Sequence, residues 1–130
     1  MEKVQKKILL VDDSKDILDA IGLMLSEAGY NVIKASSGKE AIPLAETEQP
    51  DLILLDIKMP EMDGVKTTDI LRSHRSTGNI PIAYLSSLVS EKQAQGGHVL
   101  GSKIGNLFFI PKTSSREKIL ELIEKSLEKL

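Results

Sequence analysis

A parallel α/β sheet of five strands, with helices on both faces, is the fold class this sequence predicts. Two observations carry it. Ile8-Leu9-Leu10-Val11 and Leu52-Ile53-Leu54-Leu55 are apolar at every position, and continuous rather than alternating runs mark strands buried on both faces. Stretches with apolar residues at helical spacing separate such runs. A strand–helix unit therefore recurs about five times, the order that builds parallel sheets.

The elements follow in order. The first strand is Ile8–Val11. Ile17, Ile21, Met24 and Ala28 then recur on one helical face, and Gly29 supplies a stop. Asn31 to Ala35 reads as the second strand. Ser37 and Glu40 have the spacing of a capping box at the start of a second helix. Pro43 inside that helix predicts a kink or a late start, because proline lacks an amide donor and crowds the preceding turn. The third strand is Leu52–Leu55, and a helix runs from Val65 to about His74. Pro81 opens the fourth strand, Pro81 to Leu85, where its missing donor does least harm. Ser90 to Asn106 is the weakest segment, since Gly96, Gly97, Gly101 and Gly105 oppose a helix there. Leu107 to Ile110 is the fifth strand. Ser114 and Glu117 suggest a capping box for a last helix, which carries Ile119, Leu122, Ile123, Leu127 and Leu130 inward and Glu121 and Lys125 outward.

Composition narrows the function classes. A chain of 130 residues matches one domain in length, and 41% apolar residues suffice for a core at that size. Charged residues at 28% exclude collagen-like and polar disordered chains. Seventeen basic against 19 acidic side chains, a formal charge of −2, leave no basic excess for direct nucleic-acid or membrane binding. The absence of cysteine removes disulfide scaffolds, thiolate metal sites and cysteine catalysis, and agrees with a cytoplasmic location. The opening residues hold no signal-peptide core, and no apolar run approaches the roughly 18 residues of a spanning helix.

Chemistry-bearing residues gather at strand C-termini. Asp12 and Asp13 follow the first strand and Asp56 the third. Ligands of open α/β sheets bind beyond the carboxyl ends of strands, where the strand order reverses. If the first and third strands are neighbours, the three carboxylates converge, repel one another and suit a hard cation such as Mg²⁺. Turn and helix-cap duty is the competing explanation, with Asp13 or Ser14 capping the first helix. The joint placement of all three favours a site. Ser86 follows the fourth strand and Lys112 the fifth, offering a hydroxyl donor and an ammonium for phosphate oxygens.

In these residues the sequence resembles the receiver domain of two-component response regulators, from about Lys7 to Leu127. The resemblance rests on Val11-Asp12-Asp13 and on the ungapped run Asp56-Ile57-Lys58-Met59-Pro60-Glu61-Met62-Asp63-Gly64, with Ser86 and Lys112 in matching order downstream. It implies a flavodoxin-like sheet of order 2-1-3-4-5. It implies that Asp56 accepts a phosphoryl group from a kinase phosphohistidine. Asp13, Asp56 and the Lys58 backbone carbonyl would bind Mg²⁺ directly, and Asp12 through a metal-bound water. Lys112 and Ser86 would each hold a phosphoryl oxygen. Phe109 stands at the position of the aromatic switch residue, which would turn inward as Ser86 moves. The partners implied are a sensor histidine kinase or phosphotransfer protein and a downstream protein. Homodimerisation is left open by the sequence.

Departures from the family pattern are specific. Ser86 replaces the usual threonine and Ser87 a small residue, most often alanine. Asn106 replaces a common alanine after Gly105. Lys112 is followed by Thr113 where the family has a proline in a cis bond, which allows for a different loop path and a displaced Lys112. Leu88 to Ile104 is about four residues longer than the family pattern. In the family this sequence resembles, the side chains two after the acceptor aspartate and two after the Ser/Thr screen the phosphoryl group; the resemblance puts Lys58 and Leu88 there and implies that they would hinder attacking water and give a long-lived acyl phosphate.

The leading reading is a single receiver domain over residues 1–130, without an output domain and without enzyme turnover beyond its own phosphorylation and dephosphorylation. One alternative is a degenerate receiver that binds partners without phosphorylation. Another is a haloacid-dehalogenase-like phosphatase. That family carries Asp-x-Asp after the first strand, whereas Asp12 and Asp13 are adjacent, and the length leaves no room for a cap domain.

Overall fold

A computed structural model describes residues 5–57, 64–86, 107–112 and 114–128, with the backbone path alone at residues 86, 107–109 and 128. The elements run β1 (Lys7–Val11), α1 (Lys15–Glu27), β2 (Asn31–Ala35), α2 (Gly38–Glu48), β3 (Leu52–Asp56), α3 (Gly64–Ser73), β4 (Ile82–Ser86), β5 (Leu107–Pro111) and the C-terminal helix α4 (Arg116–Glu128). The five strands form one sheet in the order β2-β1-β3-β4-β5. All four pairings are parallel.

Alternation along the strands splits the core into two layers, because successive side chains point to opposite faces. Ile8, Leu10, Leu52, Leu54, Ala83 and Leu85 face α1 and α4, where Leu18, Ile21, Leu25, Leu122 and Ile123 meet them. Leu9, Val11, Ile53, Leu55, Ile82 and Tyr84 face the other way, onto Ala41, Ala45 and Leu71. Ile8 to Val11 and Leu52 to Leu55 are fully buried, as strands covered on both faces require.

Helix ends follow local chemistry. Ser14 caps α1, its Oγ accepting from the Ile17 amide at 3.3 Å. Gly29 ends that helix at φ 101°, in the left-handed region, and the Tyr30 amide reaches back to the Leu25 carbonyl. Ala28, expected on the inner face of α1, is exposed at the cap. Ser37 caps α2 through the Glu40 amide at 3.2 Å. The reciprocal half of the expected box goes elsewhere: the Glu40 carboxylate accepts from the amide and hydroxyl of Ser36. No late start occurs at Pro43, since α2 already begins at Gly38.

Two other expectations shift. The α4 cap is Ser115, whose Oγ accepts from the Lys118 amide at 3.2 Å, rather than Ser114. Asp56 closes β3 and Ser86 closes β4 instead of following them; Pro81 lies just outside β4, its carbonyl accepting from the Ile53 amide. The expected outer positions of α4 hold, with Glu121 and Lys125 exposed and 3.3 Å apart. Residues 90–106 and Leu130 lie outside the described residues. Among the described residues no helix is long and apolar enough to cross a membrane.

Candidate phosphoacceptor site

Strand order assembles the site. Placing β1 between β2 and β3 makes β1 and β3 neighbours, in register at Val11 and Leu55. Asp12 and Asp56 are the next residues along each strand. One carboxylate oxygen from each of Asp12, Asp13 and Asp56 then lies within 4.8 Å of the others. Asp12 and Asp56 are buried and Asp13 is exposed, so the cluster is open on one side.

Lys112 follows β5 and reaches across. Its Nζ lies 2.8 Å from Asp12 Oδ2 and 3.2 Å from Asp56 Oδ1. Despite Thr113, therefore, Lys112 is not displaced. Burial costs its ammonium, but the close contacts and charges of Asp12 and Asp56 outweigh that cost and raise its pKa above the ordinary lysine value. Asp12 divides its carboxylate. Oδ1 accepts from the Ser14 amide at 2.9 Å, and the buried Oδ2 faces Lys112 without a well-directed hydrogen-bond donor among the described residues.

The donor set can be tested against a divalent cation. Oxygens around one octahedral Mg²⁺ stand at most about 4.2 Å apart; these oxygens lie within 4.8 Å of one another, so a slight closing of the carboxylates would bring them round one ion. The ligand atoms are all hard oxygens. Three carboxylates against one ammonium leave an excess of negative charge that a divalent cation would offset. The residues fit such an ion.

The expected residues are not all brought into view. Asp12, Asp13, Asp56 and Lys112 converge. Ser86 ends β4 beside Pro111 of β5, and Phe109 lies within β5 opposite Tyr84; for both the backbone position alone is described. Lys58, Thr113 and the stretch from Ser87 to Asn106, including Leu88, lie outside the described residues. Sequence inspection passes over a hydroxyl pair beside the site. Tyr84 OH is 2.6 Å from Thr68 Oγ1, and Thr68 Oγ1 donates to the Gly64 carbonyl at 2.8 Å. A tyrosine in an apolar strand and a threonine inside a helix were the available signals.

A parallel 2-1-3-4-5 sheet bearing an aspartate cluster and a lysine at its C-terminal edge is the arrangement expected from the resemblance to a receiver domain. Residues 8–124 match the family described as the response regulator receiver domain, and the chain belongs to that family of two-component signalling modules, which are not classical enzymes. Protein PilH of Pseudomonas aeruginosa is 32% identical over 117 residues, covering 90% of this chain and 93% of PilH. The alkaline phosphatase synthesis transcriptional regulatory protein PhoP of Bacillus subtilis is 37% identical over 116 residues, 89% of this chain. The chain spans about half of PhoP, 46% of its length. Among solved structures, Vibrio cholerae chemotaxis protein CheY4 matches with a TM-score of 0.79 at 28% identity, covering 95% of this chain and 99% of that one. The receiver domain of the Pseudomonas aeruginosa sensor histidine kinase PA1611, described with magnesium in its active-site cleft, matches with a TM-score of 0.77 at 26% identity, covering 96% and 99%.

Proposed function

We propose that Asp56 accepts a phosphoryl group from a histidine-kinase phosphohistidine in a Mg²⁺-dependent reaction, and that the modification switches a partner-binding face. The observation that carries this reading is the convergence of Asp12, Asp13 and Asp56 within 4.8 Å, with Lys112 bridging two of them. An Asp56 carboxylate oxygen attacks phosphorus, the P–N bond breaks, and the imidazole leaves with its electron pair, giving an acyl phosphate. Such a transfer asks mainly for positioning and charge stabilisation. Bound Mg²⁺ would supply positive charge beside the phosphoryl oxygens. Asp13, Asp56 and the Lys58 carbonyl would hold that ion directly and Asp12 through a metal-bound water, and Lys112 would exchange a carboxylate contact for a phosphoryl oxygen. Ser86 would donate to a second oxygen, and Phe109 would follow its movement.

The partners in this reading are a histidine kinase or phosphotransfer protein and a downstream protein, with a cytoplasmic location. The degenerate-receiver alternative rests on the departure at Thr113 and on the long stretch from Leu88 to Ile104; Lys112 within reach of both aspartates weighs against the first, and the second lies outside the described residues. Intact-mass spectrometry with Mg²⁺ and acetyl phosphate tests the proposal. One added phosphoryl group is expected, abolished by Asp56→Asn and by EDTA. No adduct from either acetyl phosphate or a histidine kinase would overturn it.

A further inference from the structure

The hydroxyl pair beside the site joins a closed circuit around the Asp56 backbone. Gly64 opens α3 pressed against the end of β3: a Cβ there would lie 2.6 Å from the Asp56 carbonyl oxygen and 2.9 Å from Ile57 Cα. The Gly64 amide donates to the Ile57 carbonyl at 2.8 Å. The Gly64 carbonyl accepts from Thr68 Oγ1, which meets Tyr84 OH. Tyr84 belongs to β4, and its neighbour Leu85 returns the circuit by accepting from the Ile57 amide at 3.3 Å. Leu85 is also the register partner of Asp56.

Proton direction follows from chemistry. A carbonyl accepts only, so where Thr68 gives its single proton to Gly64, the Thr68–Tyr84 bond takes its proton from Tyr84. Both side chains are buried, Thr68 at 7% and Tyr84 at 3% exposure. A valine–phenylalanine pair would fill the same space without a polar group. What the hydroxyls add is direction: they tie α3 to β4 through Thr68 and Tyr84, one helical turn from Gly64, which abuts the Asp56 carbonyl.

We propose that Tyr84 is a positioning residue for phosphorylation of Asp56, acting through Thr68 and Gly64. The inference rests on the phosphoacceptor reading above. Removing the tyrosine hydroxyl frees Thr68 from β4 and lets the α3 start move away from Asp56 and Ile57. The Asp56 carboxylate then departs from its place beside Asp12, Asp13 and Lys112. In-line transfer is sensitive to such shifts, since a misplacement of about 1 Å costs roughly 100-fold.

The test compares Tyr84→Phe, Thr68→Val and Thr68→Ser with the wild type in acetyl phosphate and Mg²⁺, following the adduct by mass. Ser126→Ala serves as the stability control, because its hydroxyl is buried on α4 and bonds the Leu122 carbonyl, remote from this circuit. Y84F and T68V are expected to slow the limiting rate about tenfold with an unchanged half-saturating donor concentration, as partial misplacement predicts. T68S, which keeps the hydroxyl, retains close to the wild-type rate, and S126A keeps that rate while unfolding earlier. A wild-type rate in Y84F, equal slowing in T68S and T68V, or slowing in S126A overturns the proposal. Should Y84F fail to fold, the T68S–T68V contrast alone decides it. A wild-type chain that takes no phosphoryl group overturns the function reading and this proposal with it, an outcome distinct from equal phosphorylation of wild type and Y84F.

Discussion

Replacing Lys112 with methionine keeps most of the apolar stem and removes the ammonium. Two carboxylates lose a contact, at 2.8 and 3.2 Å. Asp12 loses most, because it is 0% exposed and its Oδ2 has no well-directed donor among the described residues to take over. Removing one partner of a fully buried pair costs about 3–5 kcal/mol; the open side at Asp13 lets water share the charge, so the cost here is placed at about 2–3 kcal/mol. Urea unfolding followed by circular dichroism in EDTA reads that loss. Repeating it in saturating Mg²⁺ adds the decisive comparison. The variant cluster carries one more uncompensated negative charge, so the cation should bind it more tightly. A tenfold gain in affinity returns about 1.4 kcal/mol of the deficit. The pH dependence has a definite sign. The aspartates raise the Lys112 pKa above its ordinary 10.5, so its contribution is complete below that value and fades only as pH rises through the raised one. The lysine therefore adds no pH dependence to the deficit between pH 6 and about 9. A K112M chain as stable as wild type in EDTA, or a deficit that Mg²⁺ leaves unchanged, would refute the reasoning.

Three further outcomes follow from single contacts. Gly64→Ala forces backbone at the Asp56 carbonyl to give way, since neither neighbour is a flexible side chain; a loss of about 1–3 kcal/mol is expected in urea unfolding, with slowed phosphorylation in the acetyl phosphate assay. Ser115→Ala removes the α4 cap and should cost about 1 kcal/mol, whereas Ser114→Ala deletes a buried hydroxyl with no hydrogen-bond partner among the described residues and should be neutral or stabilising. Hydrogen bonds from Ser36 hold the Glu40 carboxyl below its ordinary 4.5; its contribution is present above that value and lost as pH falls through the lowered one, so thermal melts of wild type and Glu40→Ala should converge in acid.

The strands were legible because burial on both faces leaves little choice of residue. Ile8–Val11 and Leu52–Leu55 are apolar throughout, and their positions survive with boundaries shifted by one residue. Helix caps were legible in kind and less so in detail. Adjacent serines compete for one helix start, so Ser115 takes the duty expected of Ser114, and Ser36 takes the Glu40 carboxylate expected at Ser37. Such contests turn on tenths of an ångström that spacing does not encode. Residue type and strand-end position marked Asp12, Asp13, Asp56 and Lys112, but reach did not follow from sequence. Thr113 argued for a displaced loop, and only the β4–β5 pairing through Pro111 shows why Lys112 still arrives. The Thr68–Tyr84 pair was illegible because neither residue is unusual alone; each acquires meaning from the packing of α3 on β4.

Turn chemistry and site chemistry are not rivals at Asp12. The competing explanation for the aspartates was that they serve turns and caps, and for one oxygen it is correct: Asp12 Oδ1 accepts from the Ser14 amide. Ser14 in turn caps α1, which leaves the Asp13 carboxylate outside that duty and in the cluster. The local hydrogen bond holds the Asp12 carboxylate in one orientation, and that orientation directs Oδ2 at Lys112. A buried carboxylate with one oxygen committed to the backbone cannot turn away to solvent. The same bond that shapes the turn therefore preorganises the charge cluster, and an asparagine at position 12 could keep the turn while emptying the site of one charge. Such a variant separates the two duties: Asp12→Asn should preserve α1 in circular dichroism while weakening Mg²⁺ binding in calorimetry, and loss of the helix with it would show that the turn needs the full carboxylate.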